Sequence, residues 1–213
     1  MKQIYFTVTN DLSYDQRMHR ICGSLSHAGY AVTLVGRRLS NSKNLQEKSF
    51  HQKRISCFFN RGFAFYAEYN TRLFFYLLTK KIDCICAIDL DTILPCLFIS
   101  QLKKTPRVYD AHEYFTELKE VHTRPVVQKF WLAVEKFALP KFKNGYTVSS
   151  GLAEAFKKKY QRNFIVIRNL PMLVDGNYYL ILKADDAEEV TEYYENNNLT
   201  VVPFIVGNPL AVE

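Results

Sequence analysis

The sequence predicts a doubly wound α/β fold built on a parallel sheet. The chain has 213 residues, of which 48% are hydrophobic and 23% are charged, the composition of a globular protein. Over the first 171 residues, apolar strand-like runs alternate with segments of helical periodicity, which is the order of a parallel sheet covered by helices. Polar side chains follow almost every apolar run, as they do where such a sheet binds a ligand.

The first 35 residues predict one β-α-β unit. Residues 2–9 alternate and are rich in β-branched and aromatic side chains, which is typical of a strand. Ser13 and Gln16 have the spacing of a capping box that begins a helix, and the apolar positions of that helix are Met18, Ile21, Cys22 and Leu25. Gly29 ends the helix, and the apolar run at residues 30–35 predicts a strand buried on both faces.

The same alternation continues after a polar loop at residues 39–52. It predicts five further strands, at residues 54–59, 84–88, 107–109, 146–148 and 164–167. It predicts further helices at residues 66–79, 91–102, 125–139 and 152–160, with Asp91 as the N-cap of the second of these. Seven strands interleaved with helices make the doubly wound sheet.

A change of charge predicts two domains. Residues 1–171 contain 27 Lys and Arg against 13 Asp and Glu, a net charge of +14, whereas residues 172–213 contain one Lys against eight acids, a net charge of −7. We expect residues 1–171 to form the main domain and residues 172–213 a small acidic β-α-β appendage. Its predicted elements are a strand at 178–183, a helix at 185–196 and a strand at 201–206.

Several classes of protein are disfavoured by what the sequence lacks. It contains no G-x-G-x-x-G, no G-x-x-x-x-G-K-[ST] and no G-x-S-x-G, the patterns of dinucleotide sites, P-loops and nucleophile elbows. The five cysteines lack the pairing of a zinc site, so we expect free thiols, no metal and no cofactor. With no signal peptide and no 18-residue apolar run, the sequence predicts a cytoplasmic protein.

Candidate site residues follow from the rule that ligands bind beyond the carboxyl ends of parallel strands. In chain order they are Asn10, Asp11, Arg17, Asp89, Asp110, His112, Glu113, Ser149, Ser150, Arg168 and Asn169. Two alternatives stay open: the serines cap a helix, and Arg17 is an exposed helix residue. Asp110, His112 and Glu113 form the strongest group because two carboxylates and an imidazole suit acid–base work or hydroxyl binding. The alternative for this group is a structural role, in which one of the two carboxylates only orients the histidine.

The sequence also resembles a known family. Residues 9–17, 29–37, 89–92, 109–113, 148–153 and 168–171 resemble, in the same order, segments of bacterial family 4 glycosyltransferases. The resemblance covers residues 1–171 and implies the Rossmann-like, acceptor-binding N-terminal half of a GT-B fold. It implies a retaining transfer from a nucleotide sugar to a carbohydrate or lipid-linked acceptor. Asp110, His112 and Glu113 would be catalytic, and the other candidates would bind substrate.

The chain departs from that family after Pro171. A second domain normally binds the nucleotide-sugar donor and carries a Glu-x7-Glu motif, but only 42 residues follow, and Glu188 and Glu195 are seven positions apart instead of eight. We therefore expect the donor site to come from another domain or chain, and the isolated chain to be inactive.

The sequence is also compatible with functions other than catalysis. The alternative is a non-catalytic module, which keeps the cleft and binds a ligand or a protein partner. The basic surface also predicts peripheral contact with the inner face of the cell membrane. A nucleic-acid binder is disfavoured because no helix-turn-helix, zinc finger or aromatic stacking platform accompanies the charge.

Overall fold

A computed structural model describes residues 1–168 and two further strands, at residues 176–183 and 199–206. Residues 1–168 contain a sheet of seven strands, all parallel, in the spatial order β3-β2-β1-β4-β5-β6-β7. The strands are β1 Gln3–Asp11, β2 Ala31–Arg38, β3 His51–Ser56, β4 Cys84–Ile88, β5 Arg107–Ala111, β6 Asn144–Thr147 and β7 Ile165–Val166. The predicted fold class is confirmed.

Helices connect these strands. The α-helices are α1 Gln16–His27, α2 Gly62–Leu78, α3 Ile93–Lys103, α4 Lys119–His122, α5 Pro125–Ala138 and α6 Ser150–Tyr160. Short 3-10 turns lie at Leu90–Thr92, Phe115–Glu117 and Leu139–Lys141. In the described part of the chain, no helix combines the length and the apolar character that crossing a membrane requires.

The sheet is covered on both faces. Phe6 and Val8 of β1 pack into the core on the α1 side, whereas Tyr5, on the opposite side of the same strand, belongs to the core beneath α2, α3, α5 and α6. In β2, Leu34 and Val35 divide between the two cores in the same way. A strand buried on both faces needs apolar residues at successive positions, which explains the continuous run that the sequence shows there.

The N-terminal caps of two helices differ from the predictions. Asp15, not Ser13, is the N-cap of α1, because its carboxylate accepts a hydrogen bond from the backbone N–H of Met18 at 3.1 Å. Asp91 lies inside a 3-10 turn, and α3 begins two residues later without a side-chain cap. The Asp91 carboxylate accepts a hydrogen bond from the Thr9 hydroxyl instead, so it ties β1 to the end of β4.

The chain divides into two compact units, Met1–Asn169 and Leu170–Glu213. In the second unit, β8 Gly176–Lys183 and β9 Leu199–Val206 pair antiparallel. Both predicted strands are therefore present, and they pair antiparallel, whereas the strands of a β-α-β unit pair parallel. The helix predicted at residues 185–196 lies outside the described residues, and the separate role of this unit stays a prediction.

Candidate functional site

Four of the predicted site residues line one open pocket at the carboxyl edge of the sheet. The pocket has a volume of about 410 Å³, and its lining contains His112, Ser149, Ser150 and Arg168. His112 follows β5, the serines join β6 to α6, and Arg168 follows β7. Because β5, β6 and β7 are parallel neighbours, their ends bring these residues together, as the strand-end rule predicts.

Ser149 has two roles in this pocket. Its Oγ accepts a hydrogen bond from the backbone N–H of Leu152 at 3.3 Å, so it is the N-cap of α6. The helix-cap alternative is therefore correct for Ser149, and the same residue still lines the pocket. The first turn of α6 adds backbone N–H groups and the positive end of a helix dipole, which favour an oxygen-rich or anionic ligand.

Asp89 fixes the backbone that carries His112. Its Oδ1 accepts hydrogen bonds from the backbone N–H of His112 at 2.9 Å and of Glu113 at 3.3 Å. Its own N–H donates to the carbonyl of Asp110 at 2.9 Å. Burial and the nearby carboxyls of Asp91 and Asp110 raise the pKa of Asp89 well above its usual value, and the two N–H groups oppose that rise. Asp89 is thus a positioning residue for His112.

Asp110 and Arg17 form a buried ion pair. Arg17 lies in the first turn of α1, where it is buried, and its guanidinium donates a hydrogen bond to Oδ1 of Asp110, whose side chain is 0% exposed. The exposed-arginine alternative is wrong for this residue. Burial raises the pKa of Asp110, and the Arg17 guanidinium limits that rise. The Asp110 side chain is therefore closed off from solvent in this structure, and its predicted catalytic role stays a prediction.

Two buried oxygens beside this ion pair make no hydrogen bond of normal geometry within the described residues. They are Oδ2 of Asp110 and the hydroxyl of Tyr146, its neighbour across the β5–β6 pair. Burial raises the pKa of Tyr146, and negative charge on Cys86 and Asp110 would raise it further. Burying a polar oxygen without a hydrogen bond of good geometry costs free energy, and here the Tyr146 hydroxyl and the Asp110 carboxyl are close enough to shift each other's pKa.

The side chains of His112 and Glu113 reach solvent. They are 38% and 49% exposed, and Nδ1 of His112 lies 4.0 Å from Oε1 of Glu113. At this distance the two side chains are neighbours but share no hydrogen bond. Of the three residues in the predicted catalytic group, His112 and Glu113 are therefore accessible to a ligand, whereas Asp110 is not.

Asn10 and Asp11 bind neighbouring segments of the chain at the end of β1. Asp11 accepts a hydrogen bond from Arg54 at 2.6 Å and binds Ser42 and the backbone of Ser13. Burial alone would raise the pKa of Asp11, but these partners outweigh it and lower the pKa. Asn10 is exposed and donates to Asp15 at 3.2 Å. Among the described residues, the lining of the His112 pocket contains neither of them, and the predicted Asn169 lies outside the described residues.

A second, apolar cavity lies at the same edge of the sheet. It has a volume of about 510 Å³ and is lined mainly by Phe63, Tyr66, Leu94, Val126, Phe130 and Trp131. Asp91 and Asn70 supply its polar groups, and the Oδ1 atom of Asn70 is buried without a hydrogen-bond partner among the described residues. Burial raises the pKa of Asp91 to about 6. The sequence does not predict this cavity, because one of its walls comes from α2 and the other from α5, far apart in the chain.

Sequence analysis also missed a buried glutamate that supports the segment after His112. Glu135 of α5 is 1% exposed and accepts hydrogen bonds from Lys159 at 2.7 Å, from Thr116 at 3.0 Å and from the Tyr160 hydroxyl. The signal was present, since Glu135 occupies the apolar stripe of α5 between Trp131 and Ala138. Within residues 1–168, no three His, Cys, Asp or Glu side chains meet as a metal site.

Solved structures share this fold. Sucrose-phosphate synthase from Thermosynechococcus elongatus matches with a TM-score of 0.56 and 12% identity, over 80% of this chain and 48% of that one. UGT2 of Phytolacca americana, solved with UDP-2-fluoro-glucose and pterostilbene, matches with a TM-score of 0.55 and 7% identity, over 82% and 55%. No family model and no curated protein matches the sequence.

These likenesses establish the fold alone. The main domain is Rossmann-like, as in glycosyltransferases of the GT-B fold, and the chain spans about half the length of these neighbours.

Proposed function

We propose that residues 1–168 form the acceptor-binding half of a nucleotide-sugar-dependent, retaining glycosyltransferase similar to bacterial family 4. The observation that carries this proposal is the pocket in which His112, Ser149, Ser150 and Arg168 meet. An imidazole, two hydroxyls and a guanidinium suit the hydroxyl groups and oxyanions of a carbohydrate or lipid-linked acceptor. The likeness of the fold to solved glycosyltransferases supports the same class of function.

In this proposal His112 contacts the acceptor hydroxyl. It orients the hydroxyl oxygen toward the anomeric carbon of the donor and accepts the hydroxyl proton as the new glycosidic bond forms, while the bond from the anomeric carbon to the diphosphate breaks and the nucleoside diphosphate leaves. Glu113, whose Oε1 is 4.0 Å from Nδ1 of His112, places a carboxyl group beside the imidazole, and Asp89 holds the backbone of both residues. Arg168 and the first turn of α6 hold the remaining oxygens of the acceptor.

The donor needs groups that we do not assign to residues 1–168. Transfer requires that the donor diphosphate is held against the acceptor and that its developing charge is stabilised. We propose that a second domain or another chain supplies these groups. The 213-residue protein should therefore bind the acceptor and transfer sugar negligibly.

The experiment is a glycan array that includes lipid-linked saccharides, followed by calorimetric titration of the strongest hit. His112→Ala and Arg168→Ala should each weaken binding about tenfold or more, because each loses a hydrogen bond to the ligand. His122→Ala is the matched control, since His122 is an exposed histidine that does not line the pocket. Equal affinities for His112→Ala, Arg168→Ala and His122→Ala would contradict the assignment.

A further inference from the structure

Three neighbouring helices leave many large apolar side chains exposed. Helices α2, α3 and α5 contact one another in that order and cover the same face of the sheet. Their exposed apolar residues are Phe63, Phe75, Leu78, Phe98, Leu102, Val126, Phe130 and Phe137. We call the surface that these eight residues form the three-helix face. Scattered apolar residues are normal on a protein surface, but a group of this size on adjacent helices marks an interaction site.

The three-helix face is continuous across the helix boundaries. The rings of Phe63 from α2 and Phe130 from α5 pack edge to face, with centroids 5.0 Å apart. Further along, the rings of Phe98 from α3 and Phe137 from α5 have centroids 6.4 Å apart. Leu102 and Phe98 also line a shallow apolar depression with Phe74. Exposed aromatic side chains thus meet across the boundary of α5 with α2 and across the boundary of α5 with α3.

The same helices and the turns after them are strongly basic. Residues 62–83, 93–106 and 125–143 contain nine Lys and Arg against three acids, a net charge of +6. Of these acids, Glu68 pairs with Arg72 at 2.8 Å, Asp83 accepts a hydrogen bond from the backbone N–H of Gln3 at 2.7 Å, and Glu135 is buried. The exposed lysines are Lys81, Lys104, Lys129, Lys136 and Lys143. An apolar surface bordered by lysines therefore faces solvent.

We propose that the three-helix face binds the surface of an anionic lipid bilayer. Phenylalanine, leucine and valine side chains enter the headgroup and upper acyl region of a bilayer, and lysines around them bind anionic headgroups. This combination selects lipid over a second copy of the chain, because two copies of a face whose helices and turns carry a net charge of +6 repel each other. The proposal assigns the membrane contact to a defined surface and does not depend on the sugar chemistry.

The test is co-sedimentation of the full chain with phosphatidylcholine vesicles, with and without phosphatidylglycerol. We expect binding only to the anionic vesicles. Reversing three exposed lysines of these helices and turns, Lys81→Glu with Lys129→Glu and Lys136→Glu, should lower partitioning by about a hundredfold, since each lysine near the surface contributes about fivefold. The matched control reverses Lys43, Lys48 and Lys157, exposed lysines outside the three helices, and should change partitioning far less.

A second variant tests the apolar part of the surface. Phe75, Leu102 and Val126 are 61%, 62% and 75% exposed, so replacing all three by serine should leave the fold intact, which circular dichroism checks. We expect this variant to bind anionic vesicles at least about tenfold more weakly. Equal binding to neutral vesicles, equal loss in the control variant, unchanged binding of the serine variant, or a stable dimer that the serine variant abolishes would each overturn the proposal.

Discussion

Oδ1 of Asp89 accepts a hydrogen bond from the backbone N–H of His112 at 2.9 Å. The aspartate holds this contact with a backbone φ of 52° and ψ of −175°, a region that normally only glycine occupies. The loop after β4 thus sets the position of the loop after β5, where the proposed site lies. A strained non-glycine residue persists only where the surrounding structure compensates for it, and here three hydrogen bonds between the two loops do so.

Three replacements of Asp89 should distinguish the contribution of its backbone strain to stability from the contribution of its hydrogen bonds. Asp89→Ala loses the acceptor of two N–H groups and keeps the unfavourable φ, so we expect a loss of about 2 kcal/mol in the free energy of unfolding. Asp89→Gly also loses the acceptor but relieves the backbone, and should be about 1 kcal/mol more stable than the alanine variant. Asp89→Asn keeps an acceptor and should lie closest to the wild type. Urea unfolding of the three variants measures these differences, and equal losses in all three would contradict this account.

The ion pair of Arg17 and Asp110 gives a second prediction. Arg17→Met leaves the Asp110 carboxylate buried without its partner, and the expected loss is about 3–5 kcal/mol at neutral pH. Because the unpaired carboxyl then binds a proton more readily, the loss should shrink as the pH falls. The double variant Arg17→Met with Asp110→Leu removes both charges and should recover much of the stability. Urea unfolding at several pH values measures this, and a double variant no more stable than Arg17→Met alone would argue against the pair.

Asp91 should make stability depend on pH in a defined window. Its usual pKa is 3.8, and burial raises the pKa to about 6 in the folded state. Because the folded state binds this proton more tightly than the unfolded chain does, the contribution of Asp91 favours folding at low pH and is lost as the pH rises through about 6.

The variant Asp91→Asn tests this window. An asparagine oxygen still accepts the hydrogen bond of Thr9, but the side chain does not titrate. We expect the free energy of unfolding of the variant, relative to that of the wild type, to increase as the pH rises from about 4 to about 7. The difference between the two proteins should be largest above pH 6. Thermal unfolding across that range measures the difference, and a difference between the two proteins that does not change with pH would contradict the prediction.

The fold was predictable because its signals are local. The strand Cys84–Ile88 was predicted with its observed bounds, since a buried parallel strand requires an uninterrupted apolar run and aspartates bracket this one. The predicted boundaries of some elements were less precise. The strand β3 begins at His51, three residues before its predicted start, because it lies at the edge of the sheet and an edge strand needs fewer apolar residues. The pocket followed from the strand-end rule, which needs only the order of the elements.

The remainder of the site depends on contacts between distant segments. Arg17 and Asp110 are 93 positions apart, and nothing near either residue indicates that the arginine is buried. Glu135 and its partner Lys159 lie on different helices, so the sequence shows a glutamate in an apolar stripe but not what satisfies it. The three-helix face could not be predicted for the same reason, because the sequence of each helix alone resembles that of a normal core helix.

Turnover supplies a further prediction. The 213-residue chain alone should transfer sugar from a nucleotide donor negligibly, and a donor-binding domain added in trans should restore transfer. In that assembly His112→Ala should lower kcat by roughly a hundredfold or more, the size expected for a proton-transfer or positioning role, while His122→Ala should not. Robust transfer by the isolated chain would contradict the proposal that a second domain or another chain binds the donor.

The most direct test of the account follows the histidine rings by NMR while the strongest glycan-array hit is added. The proposed site predicts that the ring resonances of His112 shift in a saturable way, together with the Arg168 side chain, because both line the pocket. The rings of His27 and His122 lie away from the pocket and should stay unchanged. Saturable binding that leaves the His112 resonances in place would show that the acceptor binds elsewhere and would contradict the central claim.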